Sequence, residues 1–239
     1  MGTKLEDLNQ NVFKEKYLPT AVAKEIIEEN GREIKQQLAS LRLFDLINDC
    51  PTNAGYLLLN DDPLNYLPGA YIQYVKFGGT DTMDIQAEKK FSGNLIDVLK
   101  NVDEFVKNNV VQSKPVRTDS FIEINVNNYP NLALREFIMN AIMHRDYESN
   151  TPIRINEFSD RIVIQNTGGL YGEAQNNFPR VSAYRNPVVA EILKNLGYVN
   201  RFNVGIQNAK AKLLENNNPE PKFDLSLVSA FEVEIFSTK

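Results

Sequence analysis

A carboxylate and a carboxamide, Glu136 and Asn140, stand four residues apart in the segment 132–147. On an α-helix that spacing places one side chain above the other. Such a pair can hold a hydrated cation or a water molecule beside a buried helix face. The alternative interpretation is a solvated polar face, because the pair falls on the side away from the apolar stripe of the same segment.

The elements around this pair follow from hydrophobic periodicity. Apolar residues at helical spacing predict an α-helix that begins near Pro130, a residue suited to a first helical turn. Residues 153–156 and 161–164 alternate apolar and polar side chains, and the intervening Ser159 and Asp160 favour a turn, so the two runs predict a β-hairpin. The helical stripe consists of Leu134, Phe137, Ile138, Ala141 and Ile142.

The second strand of the hairpin runs into Asn166-Thr167-Gly168-Gly169. Paired glycines permit positive φ and let a ligand approach the backbone closely. Exposed amides in such a turn could form an anion-binding nest. The turn is therefore a candidate binding element beside the helix.

His144 is the only histidine of the chain. A general-base role is conceivable for it. The structural alternative is a histidine near a helix C-terminus, where the helix dipole favours the charged form. Arg185 and Arg201 suit phosphate contacts as well as ordinary ion pairs, so both interpretations stay open for them.

Composition restricts the class of protein. The chain has 239 residues and a formal net charge of −5, with a pI near 5.1. It therefore lacks the overall basic character typical of nucleic-acid binders, although a local basic stripe is not excluded. The single Cys50 cannot form an intrachain disulfide, and no apolar run approaches the length of a membrane span, so we expect a cytoplasmic protein without a membrane segment.

The rest of the chain predicts alternating helices and strands. Residues 4–46 form a charged helical arm, and Gly78-Gly79 make a turn that does not match a Walker loop. Residues 114–120 are expected to form a polar link, and residues 170–184 a loop. Strands are predicted at 56–59, 70–77, 121–126, 223–227 and 231–236, and helices at 95–110, 188–196 and 206–214.

Three blocks carry a resemblance to a known family: ALREFIMNAIMHRDY, DRIVIQNTGG and RNPVVAEILKNLGYVNRFNVGI. In this order they resemble the C-terminal domain of RecG-like ATP-dependent DNA helicase-related transcriptional regulators. That domain is a divergent relative of the gyrase, Hsp90 and histidine-kinase ATPases. The resemblance extends from about Pro51 to the end of the chain.

The resemblance implies an α/β (α+β) fold with a Bergerat-like mixed sheet and helices on one face. A helical arm and a small α/β region would precede it. The implied division of the chain is 1–50 for the arm, 51–128 for the small region and 129–239 for the ATPase-like domain.

In the ATPase relatives, a helix carries the pattern E-x-x-x-N, which Glu136 and Asn140 match. The resemblance implies that Glu136 orients the attacking water as the catalytic base and that Asn140 binds Mg²⁺. Asn166 stands where the relatives have an aspartate that accepts from the adenine amino group. A carboxamide can still accept one hydrogen bond, but it carries no charge.

The later glycine segment of the relatives, R-x-G-x-G-I, corresponds here to RFNVGI, residues 201–206. Asn203 replaces the first glycine, which adds a side chain where bare backbone would approach phosphate. The pocket is therefore predicted to be degenerate. The resemblance assigns cofactor binding to Asn140, Asn166, Gly168, Gly169, Arg201 and Gly205.

The sequence thus favours a DNA-associated regulatory module with a degenerate pocket that binds ATP with Mg²⁺ weakly or binds no cofactor. One alternative is an active Mg²⁺-dependent ATPase with Glu136 as base, and another is a homodimerisation module. Contact with DNA would come from an upstream Alba-like, Schlafen-type domain, which we do not find in this sequence. No Walker motif is visible, which disfavours a helicase motor.

Overall fold

The computed structural model describes residues 2–117, 123–179, 183–199, 205–227 and 229–238. The predicted helical arm consists of several short helices. It begins with a 3₁₀ turn at Leu5–Asp7 and a π-helical stretch at Val12–Tyr17. The elements that follow are α1 (Leu18–Ala21), α2 (Lys24–Glu29), α3 (Ile34–Ser40), β1 (Phe44–Asp45), β2 (Cys50–Pro51) and α4 (Asn53–Leu59).

The strand predicted at 56–59 is wrong, because these residues belong to α4. The Thr52 side chain caps this helix by accepting a hydrogen bond of 3.1 Å from the amide of Gly55. Gly55 lies so close to the Leu43 carbonyl that a Cβ would collide with it. Residues 56–59 are all buried, so every position is apolar. Without polar residues at a regular interval, the sequence cannot distinguish a helix from a strand.

A six-stranded mixed sheet forms the centre of the molecule. Its order is β4-β3-β7-β8-β10-β9, in which β3 and β7 run parallel and all other neighbours are antiparallel. A separate two-stranded sheet joins β5 to β6. The bounds are β3 (Ile72–Phe77), β4 (Ile85–Phe91), β5 (Ser113–Arg117), β6 (Glu123–Asn127), β7 (Ile153–Glu157), β8 (Arg161–Thr167), β9 (Lys222–Asp224) and β10 (Ala230–Phe236).

Two features of the sheet differ from the sequence prediction. Strand β4 was not predicted, because all of its residues except Phe91 are exposed and no alternating apolar pattern marks it. Strand β5 occupies most of the predicted polar link, where pairing with β6 compensates for weak strand propensity. The hairpin of β7 and β8 and the closing pair of β9 and β10 are confirmed.

The longer helices begin and end as the sequence signals predict. In α5 the Asn94 side chain accepts from the amide of Asp97 at 3.0 Å and caps the helix. Helix α6 ends at His144, because the backbone of Arg145 leaves the helical conformation. The bounds are α5 (Leu95–Phe105, continued by a π-helical stretch at Val106–Val110), α6 (Asn131–His144), α7 (Ala174–Asn177), α8 (Pro187–Asn195) and α9 (Gly205–Glu215).

The main core lies between one face of the sheet and the helices, and it includes both Ile155 of β7 and Ile138 of α6. A much smaller cluster of Phe77, Phe158 and Val163 is separate from that core. This is the predicted α/β fold with a mixed sheet. Strands from the ranges 51–128 and 129–239 share the sheet, and the proposed domain division stays a prediction.

Among the helices of the described ranges, none combines the length and the apolar character that a membrane span requires.

Candidate functional site

Helix α6, strands β8 to β10 and the start of α9 enclose a cavity of about 90 Å³. We call it the main cavity. Of the residues that the sequence nominated, all within the described ranges line it, whereas Arg201 lies outside those ranges. The nominated residues that line the main cavity are Glu136, Asn140, Asn166, Gly168, Gly169 and Gly205.

Glu136 is only 4% exposed, so the interpretation as a solvated polar face is wrong for this residue. Its carboxylate lies 3.5 Å from the guanidinium of Arg135. Burial raises the pKa of the Glu136 carboxyl, and the charge of Arg135 opposes that shift. A buried carboxylate of raised basicity is suited to accept a proton from a bound water.

Gly205, the first residue of α9, packs directly on the Glu136 carboxylate. A Cβ at this position would collide with Oε2 of Glu136 and would approach Nδ2 of Asn140 to 4.0 Å. The absence of a side chain at Gly205 therefore fixes how closely α9 approaches α6.

Asn140 lies one helical turn after Glu136, and its side-chain nitrogen donates to the Glu136 carbonyl at 2.7 Å. The carboxamide oxygen is the atom that remains for a ligand. Within the described residues, no group of three or more His, Cys, Asp or Glu side chains could hold a metal ion. Asn140 could thus supply only one ligand to a Mg²⁺ ion whose other ligands came from phosphates and water.

The end of β8 and the turn that follows it place Asn166 and Gly168 against the main cavity. Asn166 is 2% exposed, and its side-chain nitrogen donates to the Thr167 carbonyl at 3.2 Å. Gly168 has a φ of +89°, a conformation that favours glycine. Its amide donates to the Ser229 carbonyl at 2.8 Å, so this amide is not open to an anion.

The side chain of Arg185 contacts the same turn, on Gly168 and Gly169. Its guanidinium donates to the Gly169 carbonyl at 3.2 Å and stacks 4.9 Å from the ring centre of Tyr171. It also lies close to Gly168, where a Cβ would meet Nε at 3.0 Å. Arg185 therefore holds the turn in place and does not line the main cavity.

His144 lines the main cavity at the end of α6 and stacks on Tyr184, with ring centres 5.7 Å apart. The expectation of a charged histidine is wrong. Burial, assisted by the like charge of Arg185, lowers the pKa of His144 to about 4, and this outweighs the helix dipole. A neutral imidazole at neutral pH can pack against an aromatic ring or a ligand.

Aromatic side chains form a wall of the main cavity that sequence reasoning missed. Phe178 lies 5.2 Å from Phe223 and 5.5 Å from Phe231, and Phe137 of α6 lies 6.0 Å from Phe223. Phe223 and Phe231 were recognised only as strand residues. Their convergence with Phe178 depends on how the segment 170–184 packs against β9 and β10, which no local pattern specifies.

The segment 170–184, predicted as a loop, contains the short helix α7. The segment lines the main cavity through Tyr171, Ala174, Phe178 and other residues, and positions 180–182 lie outside the described ranges.

Taken together, the mixed sheet, the helices on its core face and the main cavity agree with the fold of an ATPase-like domain. Residues 150–235 match a family model described as "Putative ATP-dependent DNA helicase recG C-terminal". The match covers less than half of the chain and supports an ATPase-like domain at its C-terminal end. It contains Asn166, Gly168, Gly169 and Gly205, whereas Glu136 and Asn140 lie before it.

A solved structure shares the fold of the whole chain. The crystal structure of the DIP2311 protein from Corynebacterium diphtheriae superposes with a TM-score of 0.73 at 18% sequence identity. The similarity covers 100% of this chain and 46% of that chain, so this chain spans about half the length of that protein. No curated protein matches the sequence.

Proposed function

We propose that this chain is the nucleotide-pocket module of a DNA-associated regulator, in which the pocket binds adenine nucleotides weakly and hydrolyses them at close to background rate. The observation that carries this proposal is the convergence of Glu136, Asn140, Asn166 and Gly205 on the main cavity. These are the positions at which the related ATPases place their water-orienting, metal-binding, base-binding and phosphate-approaching residues.

The lining of the main cavity supports a ligand with a flat apolar part. The ring of Phe178 and the stacked rings of His144 and Tyr184 offer faces to a base. Asn166 could donate to or accept from the edge of that base. Within the described residues, no Lys or Arg side chain lines the main cavity, so a triphosphate finds little compensation for its charge.

Mg²⁺ fits this site only as a companion of the nucleotide. When bound, it would neutralise phosphate charge. Asn140 would contribute its carboxamide oxygen, while Glu136 would hold a water through its buried carboxylate. The low charge of this donor set is a second reason to expect weak affinity.

The link to DNA rests on the family that residues 150–235 match, whose description names a DNA helicase. The net charge of −5 gives this chain no overall attraction for the phosphate backbone. We therefore place the DNA contact in another part of the assembled regulator, and we assign to this chain the part that senses a ligand.

Isothermal titration with ATP and Mg²⁺ tests the proposal, with adenosine as the ligand that lacks phosphates. We expect a millimolar dissociation constant or no binding for ATP, and adenosine should bind no more weakly than ATP. Phosphate release should stay near background in the wild-type chain and in Glu136→Ala. The matched control is Glu148→Ala, which removes an exposed carboxylate outside the main cavity.

An active Mg²⁺-dependent ATPase is the second candidate, and the raised pKa of the buried Glu136 carboxyl favours it. A micromolar dissociation constant for ATP, with turnover lost in Glu136→Ala and retained in Glu148→Ala, would establish this alternative and refute the weak-pocket proposal. A homodimerisation module is the third candidate. A solution mass of twice the 27.2 kDa of the chain would support it.

A further inference from the structure

A second cavity of about 230 Å³ lies at the end of β8 remote from Asn166, beside the hairpin turn where Glu157 pairs with Ile162. We call it the polar cavity. It takes no part in the function proposed above, and none of its lining residues lines the main cavity. The residues of the polar cavity that matter here are Lys76, Phe77, Lys114, Tyr129, Glu157 and Phe158.

The frame of the polar cavity is held by main-chain and side-chain hydrogen bonds. Asn128 accepts from the Gln112 amide at 2.8 Å through its side chain and donates its own amide to the Gln112 carbonyl at 2.9 Å. The Thr238 amide donates to the Asn128 carbonyl at 3.2 Å. The cavity is thus formed before any ligand arrives, which reduces the entropy lost on binding.

Opposite charges line the polar cavity, and they do not cancel. Glu157 is 7% exposed, and its carboxylate accepts from the Tyr74 hydroxyl at 2.5 Å and from the Lys76 ammonium group at 2.8 Å. Lys76 and Glu157 therefore compensate each other. Lys114 pairs with no acidic side chain in the described part of the chain, and it leaves the lining with one positive charge in excess.

An apolar wall stands in the same cavity. Phe77 and Phe158 stack with ring centres 4.9 Å apart and planes inclined by 14°. With Val163 they form the small cluster that is separate from the main core, and Arg161 covers the Phe158 ring at 4.5 Å. This wall can hold the flat or aliphatic part of a small molecule.

We propose that the polar cavity is a binding site for a small organic monoanion, a carboxylic acid with a flat apolar body. Its carboxylate lies at Lys114, and its body packs on Phe77 and Phe158. The single excess positive charge, that of Lys114, favours a monoanion, because a second negative charge on the ligand would find no further free cation in the described part of the lining. The site is independent of nucleotide binding.

Benzoate is the probe, and benzylamine is its counterpart of opposite charge. Titration of the ¹⁵N-labelled chain, followed by amide chemical shifts, should give saturable binding of benzoate with the largest shifts at Tyr129 and Ser159. The shift at Gly168, beside the main cavity, should be negligible. Benzylamine should leave the spectrum unchanged.

Lys114→Met should weaken benzoate binding about tenfold or more, which corresponds to the loss of one charge-assisted contact. Lys100→Met, which removes a charge from the exposed face of α5, is the control and should bind like wild type. Lys114 is exposed, so the variant should fold, and Lys114→Gln provides a second test of the same charge.

The proposal is overturned by any of the following results. These are the absence of saturable benzoate binding to the wild-type chain, unchanged binding in both Lys114 variants, and binding of benzylamine as tight as that of benzoate. Benzoate shifts confined to Gly168 and its neighbours would move the binding to the main cavity and refute the proposal equally. None of these results bears on the affinity for ATP.

Discussion

The contact between Gly205 and the Glu136 carboxylate couples the stability of the chain to the geometry of the main cavity. Gly205→Ala should be favourable for helix propensity in α9. It should nevertheless destabilise the protein by about 1 kcal/mol, because the new Cβ forces a buried carboxylate to move. Urea unfolding of the single variants and of Gly205→Ala/Glu136→Ala measures the coupling.

In that double-mutant cycle, we expect Gly205→Ala to be harmless or stabilising once Glu136 has been truncated. The interaction energy should then be about 1 kcal/mol, as for residues in direct contact. Additive effects of the two substitutions would show that Gly205 does not determine the position of the carboxylate.

The lowered pKa of His144 leads us to expect that the stability of the protein depends on pH. This pKa is lowered from 6.5 to about 4 in the folded protein, so the unfolded chain binds a proton first on acidification. The contribution of the neutral imidazole is therefore complete above pH 6.5 and is lost as the pH falls toward about 4. Between pH 7 and pH 5 this loss should be about 2 kcal/mol.

His144→Gln isolates this effect, because no other histidine is present. Urea unfolding at pH 7 and pH 5 should show a smaller drop in the free energy of unfolding for the variant than for wild type. An equal drop in both proteins would mean that carboxyl groups alone account for the acid sensitivity.

At the scale of elements, the packing of α6 depends on Phe137, which is 3% exposed and whose ring contacts Phe223. Phe137→Ala should lower the free energy of unfolding by about 3–5 kcal/mol, as expected for a buried aromatic residue. Leu214→Ala on α9 is the control, because Leu214 is 76% exposed and should change stability by less than about 0.5 kcal/mol. An unchanged melting temperature in Phe137→Ala would contradict the observed rotation of α6.

The elements with a clear period were predictable from sequence. Helix α6 and the hairpin of β7 and β8 follow from apolar spacing, supported by Pro130 at the helix start and by Ser159 and Asp160 in the turn. Strand β4 was not predictable, because its exposed residues obtain their conformation from pairing with β3 and not from a hydrophobic pattern. Helix α4 was misassigned because a fully buried apolar run has no period.

The same distinction applies to the main cavity. Glu136 and Asn140 could be nominated because four-residue spacing on one helix fixes their proximity. The burial of Glu136 could not be foreseen, since it depends on the docking of α9. Phe178 and Phe231 meet across distant segments, so only the tertiary structure shows their contribution.

At the scale of the whole molecule, the net charge of −5 predicts weak binding to DNA. This chain alone should bind duplex DNA with a dissociation constant above the micromolar range at physiological salt, and the binding should weaken steeply as salt increases. Fluorescence anisotropy with duplexes of different sequence measures both properties. Sub-micromolar, sequence-selective binding would refute the assignment of the DNA contact to another part of the regulator.

The parallel pairing of β3 with β7 has a consequence for the order of folding. Helices α5 and α6 and the β5–β6 sheet all lie between these strands in sequence, so the chain must close a long loop before the pair gains its hydrogen bonds. The hairpin of β7 and β8 needs no such closure and can form early. Until β3 docks, β7 remains an open edge with Ile153 and Ile155 on one side, and truncated chains that lack β3 should aggregate through it.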